Sequence, residues 1–432
     1  MTVNFFRWSE LDEKTRARLL SRSESDIQDV LPAAAVIIED IRTRGDRALI
    51  ELNQRFDKAP AGMKLRVPDS HFDEAEAALS AEVKSALAYS IENVRRYHQD
   101  QCPSGICWKE IRPGIMAGER STPIDSAAFY VPRARGSFPS MLYMMAVPAQ
   151  IAGVRRTVMA SPPDSKGRVD AACLYTARLC GVQEVYAAGG AQAWAALAYG
   201  TESIRKVDKC LGPGSKYVAA AKKILFETID CGLPAGPSES VILADSTPNP
   251  EDIARNLLVE AEHGSDSAAL LITDSPELAA EAMPLLSQFG EALPEPRRSF
   301  VTDVFSGYGG IIVVDSMSEG IDLVNQYAAE HLQIRCADPF AILGKIRNAG
   351  EIILGDNCPF SAANYSVGAN AVLPTGGWAR TWSGVSAADF KKRSSVIYLS
   401  KEGLAGLKHQ ARALAEYEEF PAHRDVLLHR RE

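Results

Sequence analysis

Two short stretches place a glutamate directly before a histidine: VEAEHG at 259–264 and YAAEHL at 327–332. The chain has only seven histidines in 432 residues, so one set in an apolar run carries information. In the first stretch an advance of about 100° per residue lines Glu260 up with Ile253 and Leu257, and makes Glu260 and His263 neighbours on one helix face. That E-x-x-H spacing lets a helix offer two ligands to a metal ion, and it equally suits a buried structural hydrogen bond. In the second stretch Glu330 and His331 are consecutive, diverging by about 100° on a helix on which His331 falls with Val324, Tyr327 and Ala328. Two groups so placed at a helix end, next to a strand's start, approach a substrate from different sides and read as acid/base chemistry; a satisfied core histidine beside a solvated glutamate is the plainer reading. Two further segments are polar where a core would not be. The loop SAANYSVGANAVLPTGG (361–377) follows the strand pattern EIILGD, at the carboxyl end where open α/β sheets bind ligands, and PAGPSES (234–240) presents Ser238 just before a strand; both also fit ordinary turn chemistry.

These groups need a scaffold, and its texture changes along the chain. Residues 1–125 repeat apolar positions three and four apart and read as a mostly helical segment with little obvious chemistry. From 126 to 236, short β-branched runs such as TVMASPP and EVYAAGG alternate with helical stretches, the signature of a parallel sheet with crossover helices. A second series of the same kind covers 237–375, and 376–432 returns to a helical tail. No low-complexity linker separates the pieces, so they are expected to pack closely.

Composition sets the limits. The chain is 46% hydrophobic and 24% charged, the balance of a globular protein with a sizeable interior. A net charge of -8 gives no broad basic face, which sets nucleic acid aside as a partner. Eight scattered cysteines without a CxxC pair fit a reducing compartment. The N-terminus has charges where a signal peptide needs an apolar core, and MLYMMAVPAQIAGV is too short to span a bilayer and is broken by Pro148. The expectation is a cytoplasmic protein without a membrane partner.

The ordered set AGPSE, EAEHG, Y-x-x-EHL, AVLPT and FPAH, with ELNQRFD, YVP, VYAAGGAQAWAALAYGTESIRKVDK and GPG before it, resembles the histidinol dehydrogenase family across nearly the whole chain. The resemblance implies an α/β fold of two tandem incomplete Rossmann-like domains, with the C-terminal tail completing the active site of the other subunit of a homodimer. It implies a zinc-containing, NAD-dependent enzyme that oxidises a small-molecule alcohol to a carboxylate through two hydride transfers. Carried over residue by residue, His331 becomes the general base for the alcohol proton, and Glu330 activates the water that attacks the aldehyde. The zinc ligand positions fall on Glu260, His263, Asn364 and His423. The substrate contacts add Ser238, His331 and Glu418 to these four, and the NAD contacts fall on Tyr130, Gln192 and Ser215. No GxGxxG fingerprint is present; the turns GGAQ (189–192) and GPGS (212–215) before helices can serve the dinucleotide instead.

The departures concern substrate and metal. Glu260 stands where the family has glutamine and Asn364 where it has aspartate, so one carboxylate and one amide remain and the formal charge is kept. Ala371 replaces a histidine of the substrate pocket, and Ser215 replaces a cofactor-side asparagine. Arg133 and Arg135 replace glycines after Tyr130, where they are either a solvated pair or a grip for an anion. That pattern suggests a paralogue acting on another alcohol, with an anionic diol or hydroxy acid such as sulfopropanediol as the alternative substrate. A non-catalytic binding protein on the same fold is the alternative of another class.

Overall fold

The protein is described by a computed structural model over residues 1–22, 27–102, 105–133 and 136–428. In chain order the strands are β1 (Phe5–Arg7), β2 (Ile106–Arg112), β3 (Ile115–Pro123), β4 (Ser126–Tyr130), β5 (Arg156–Ser161), β6 (Glu184–Ala187), β7 (Lys209–Leu211), β8 (Glu239–Ala244), β9 (Ala268–Thr273), β10 (Gly310–Val313), β11 (His331–Arg335), β12 (Glu351–Leu354) and β13 (Lys391–Leu399). Two all-parallel sheets form the body, ordered β6-β5-β4-β7 and β1-β10-β9-β8-β11-β12. Their strands are apolar runs because helices cover both faces: β4, β8 and β9 are buried at every position. Strand order reverses between β4 and β7 in one sheet and between β8 and β11 in the other. Such reversals open crevices in parallel sheets.

The first and last segments are mostly helical, as expected, with helices Glu13–Ser21, Leu31–Asp57, Asp69–Ala78 and Ala81–His98 in the first and Lys401–Tyr417 and Pro421–Leu428 in the last, but each also contributes strands. Residues 1–125 include β1, which extends the second sheet by pairing with β10, and the β2–β3 hairpin, which turns at Pro113–Gly114 with Gly114 at φ 72°. The tail contributes β13, which joins that hairpin as the third antiparallel strand. Helical periodicity misses these strands because β2 is exposed throughout and β13 nearly so; neither has an apolar face to reveal a period of two.

The helix Pro250–Ala261 links β8 to β9. Asn249 caps it, its side chain accepting from the Glu251 N–H; Pro250 occupies the first turn, and Glu251 and Asp252 complement the helix dipole there. Running back from the carboxyl end of β8, the helix delivers its own C-terminus to the amino edge of the sheet.

Candidate active site

The site is built on that amino edge, where β8, β11 and β12 begin side by side and His331 pairs in register with Ser240 and Glu351. The helix Met317–Tyr327 stops at Ala328, which adopts a left-handed φ of 54° and turns the chain toward β11. Glu330 and His331 therefore lie on a bend and a strand start, and the helical line joining His331 to Val324 and Tyr327 does not apply. Gly350 allows the start of β12 to press against this bend: a Cβ there would lie 2.5 Å from the Glu330 carbonyl oxygen. Backbone bonds from Gly350 to Ala329 (2.9 Å) and from Glu351 to Glu330 (3.0 Å) close the contact.

His331 is buried. Its Nδ1 lies 2.5 Å from Glu351 Oε1, and its Nε2 lies 3.8 Å from Glu330 Oε1. Glu330 Oε2 accepts the Glu239 backbone N–H at 2.9 Å. Behind it, Glu239 accepts the Gly376 N–H at 2.8 Å and pairs with buried Arg22 at 3.2 Å. Burial pushes the Glu330 carboxyl well above its ordinary range, and this outweighs the nearby His331. For His331 burial works downward, but the carboxylates of Glu260, Glu330 and Glu351 prevail and raise it.

Glu260 is completely buried on the face shared with Ile253 and Leu257, all three at 0% exposure, as its spacing predicts. Its Oε2 lies 3.3 Å from His263 Nδ1, and its Oε1 accepts from Asn364 Nδ2 at 2.6 Å. Ser238 Oγ stands 3.0 Å from the same His263 nitrogen. Burial pushes the Glu260 carboxyl up, but His331, His263 and the Asn364 hydrogen bond outweigh it and the carboxyl stays below its ordinary value. Two oxygens in this cluster, Glu260 Oε2 and Asn364 Oδ1, are buried without a hydrogen-bond partner. Orphaned acceptors next to an imidazole are what a cation site requires, so the residues fit zinc. Among the described residues no three His, Cys, Asp or Glu side chains converge on one point, since one donor here is an amide. Glu418 and His423 are exposed on the tail and do not line this cluster.

Asn364 reaches the amino edge although its loop leaves β12 at the carboxyl end. The short helix Phe360–Tyr365 packs on Pro250–Ala261, and the following residues Ala371, Val372 and Leu373 return to the site. This corrects the expectation that 361–377 bind ligand at the carboxyl end of β12.

A cavity of about 120 Å³ joins these groups. Ser238, Glu260, His263, Glu330, His331 and Asn364 line it, together with apolar Phe138, Met141, Met144, Val372 and Leu373 and with Ala371. Pro213, just beyond the carboxyl end of β7, also lines it, so the cavity lies between the carboxyl edge of the first sheet and the amino edge of the second.

A second cleft opens along the carboxyl edge of the first sheet and contains Gln192, Ser215, Gly190, Asp57, Phe56 and Tyr217. Gln192 is in the first turn of the helix Gly190–Tyr199. Ser215 caps the helix Lys216–Leu225 without spending its side chain on the cap. Tyr130 stands behind the cleft, buried, with its hydroxyl accepting the Gly190 N–H at 3.0 Å; it supports the turn and is not among the lining residues. Burial raises the Asp57 carboxyl to about 6. Arg133 is engaged by Asp164 at 3.6 Å and by the Arg168 carbonyl at 3.4 Å, and it lines neither space. Arg135 lies outside the described residues.

Sequence reasoning missed Glu351, Glu239, Arg22 and Asp57. Glu351 had a readable signal, a charged residue heading the apolar strand EIIL, and Asp57 ends the quoted motif ELNQRFD. Glu239 ends the quoted motif AGPSE, but its pairing with Arg22 gave no signal, because it spans more than two hundred residues of chain.

A family model described as Histidinol dehydrogenase matches residues 20–431. The chain is 49% identical over 422 residues to a histidinol dehydrogenase of Synechocystis sp., covering 98% of this chain and 97% of that one. It is 46% identical over 432 residues to a histidinol dehydrogenase homolog of Colwellia psychrerythraea, covering 100% and 97%. Among solved structures, histidinol dehydrogenase from Elizabethkingia anophelis superposes with a TM-score of 0.93 at 33% identity, over 98% of this chain and 97% of that one.

Proposed function

The chain belongs to the histidinol dehydrogenase family, NAD-dependent oxidoreductases acting on CH–OH groups, and from that premise we propose that it oxidises an amino alcohol, L-histidinol or a close relative, to the carboxylate. The observation that carries this reading is the pairing of Glu330 and His331 across one cavity from the Glu260, His263 and Asn364 cluster. His331 Nε2 takes the alcohol proton as a hydride leaves the carbon; NAD, the hydride acceptor, would be held by Gln192 and Ser215. Glu330 then takes a proton from water as it adds to the aldehyde, and the hydrate so formed loses the second hydride, for which a second NAD would be the acceptor. The balance is RCH2OH + 2 NAD+ + H2O giving RCOO− + 2 NADH + 3 H+. The raised Glu330 carboxyl suits a group that must exchange protons near neutrality.

Zinc would be held by Glu260, His263 and Asn364, with His423 of a second copy, and when bound it supplies Lewis acidity and substrate orientation. A homodimer is supported by the tail itself: Leu414, Tyr417, Phe420 and Val426 expose large apolar surfaces around Glu418 and His423. For location, the eight cysteines are all free, which fits the cytoplasm, and no described helix is long and apolar enough to cross a membrane.

The cavity favours a neutral or cationic alcohol over an anionic diol. Its described lining includes the carboxyl groups of Glu260 and Glu330 and neither lysine nor arginine to pair with a sulfonate. The test is NADH formation by zinc-loaded protein with L-histidinol, at two NADH per alcohol and lost in His331→Ala. Protein inert to L-histidinol but active on 2,3-dihydroxypropanesulfonate would reverse this substrate assignment. Mixed dimers of His331→Ala and His423→Ala subunits should regain activity; a mixture that stays inactive removes the shared site.

A further inference from the structure

We propose that Glu351 is the positioning residue for His331, holding the imidazole in the tautomer and orientation that present Nε2 to the alcohol. The inference rests on the reading of His331 as the base. It starts from register: β11 and β12 are parallel neighbours in which His331 and Glu351 are direct partners, so their side chains stand on the same face of the sheet. Glu351 Oε1 lies 2.5 Å from Nδ1, and the carboxylate, an acceptor only, accepts the hydrogen bond that Nδ1–H donates. The lone pair is thereby assigned to Nε2, the nitrogen that faces Glu330 and the cavity.

Glu351 does not itself line the cavity and so has no route to the substrate. Its side chain is 11% exposed, and Phe360 meets the imidazole edge-on at 6.1 Å, so the ring is held from two directions. A carboxylate behind a histidine base also stabilises the imidazolium formed when the alcohol proton arrives. Of the other carboxylates near the ring, Glu330 is held by the Glu239 N–H and is assigned to water activation, and Glu260 is engaged with Asn364 and His263, which leaves the orienting task to Glu351.

The test measures kcat and KM for the zinc-loaded full-length protein with L-histidinol, or with 2,3-dihydroxypropanesulfonate if only that yields NADH, in Glu351→Ala and the isosteric Glu351→Gln. Glu351→Ala is expected to lose kcat by about 10²-fold with KM nearly unchanged, the scale set by losing an outer partner of a functional histidine. Glu351→Gln, which keeps an acceptor but no charge, should fall between. Zinc content, the dissociation constant for NAD and Tm should stay at wild-type values. The proposal is overturned if both variants keep kcat within about twofold of wild type, or if the loss falls on KM, which would place Glu351 on the substrate. Should Glu351→Ala fail to fold, Glu351→Gln decides alone: lowered kcat at unchanged Tm supports the role, and unchanged kcat ends it. No NADH from wild type with either alcohol would instead remove the reading beneath it.

Discussion

The two parallel sheets offer opposite edges to the same enzyme. The first presents its carboxyl edge, where turns and helix N-termini around Gly190, Gln192 and Ser215 leave an open cleft with few charges. The second presents its amino edge, where Glu330, His331, Glu260 and Glu239 are nearly or completely buried; Glu330 meets His331 and the Glu239 N–H, His331 meets Glu351, Glu239 pairs with Arg22, and Glu260 engages Asn364 and His263. An open edge with backbone donors suits a dinucleotide that must enter and leave twice in one turnover. A closed edge suits proton transfers, because burial is what shifts carboxyl and imidazole groups from their ordinary behaviour. On the proposed function, cofactor exchange and proton chemistry are divided between the sheets, and the cavity lies where the two edges meet.

The sharpest way to break this division is on the buried edge. Glu330→Gln removes the group assigned to water activation while keeping its bond to the Glu239 N–H. It should slow the second oxidation by roughly 10²–10³-fold and leave the first much less affected. The ratio of NADH to alcohol consumed should fall from two toward one, with trappable aldehyde appearing. A ratio that stays at two with a uniformly lower rate would move water activation elsewhere.

Next in size is a stability effect behind the same edge. Arg22 and Glu239 have side chains 3% and 6% exposed, and Arg22→Ala strands a buried carboxylate. A loss of about 3–5 kcal/mol in urea unfolding is expected, the usual consequence of removing one partner of a buried pair. A loss below about 1 kcal/mol would mean that Glu239 is neutral in the folded protein; burial, which raises its carboxyl, pushes toward that state against Arg22.

How legible these regions were in sequence follows from what carries them. The alternation of apolar runs and helices exposed both parallel sheets, and the helical line shared with Ile253 and Leu257 placed Glu260 correctly inside, because each depends on residues within one or two turns of chain. The YAAEHL stretch misled as a helical face because the left-handed Ala328 ends the helix one residue after Tyr327, and nothing in the residue alanine announces that conformation. The Glu351 partner of His331 depends on strand register, and the Arg22 partner of Glu239 on packing across the whole chain; neither is a local property. Strands β2 and β13 were hidden for a different reason, as exposed strands have no apolar period to read.

On the open edge the effects should be smaller and partly of opposite sign. Asp57, in the cleft with Gln192 and Ser215, has its carboxyl raised by burial from 3.8 to about 6, so the folded state holds that proton more tightly than the unfolded one. Its contribution favours folding at low pH and is lost as pH rises through about 4 to 6. Asp57→Asn should therefore raise Tm at about pH 8, with the gain fading below about pH 4. If the carboxylate accepts from the dinucleotide, KM for NAD should rise about tenfold in the same variant, the scale of one charge-assisted hydrogen bond. A higher Tm with unchanged KM would make Asp57 a burial cost without a cofactor role.

The smallest effect tests the boundary between the two edges. Arg133 follows β4 at the carboxyl edge, where its replacement of a small residue suggests an anion grip, but Asp164 and the Arg168 carbonyl already engage its guanidinium. Its side chain is 34% exposed, and Asp164, 30% exposed, is held below its ordinary value by backbone N–H groups of Arg168 and Lys166 as well as by Arg133, despite the opposing effect of burial. A half-exposed pair of this kind contributes at most about 1 kcal/mol. Arg133→Ala should accordingly leave kcat and the KM for an amino alcohol within about twofold of wild type, and shift stability by less than about 1 kcal/mol. A selective rise in KM for an anionic alcohol would show that the guanidinium leaves Asp164 when substrate binds, and it would return the anionic substrate to first place. The magnitude that decides is the difference between the two alcohols, since a general loss of both would report only a disturbed loop.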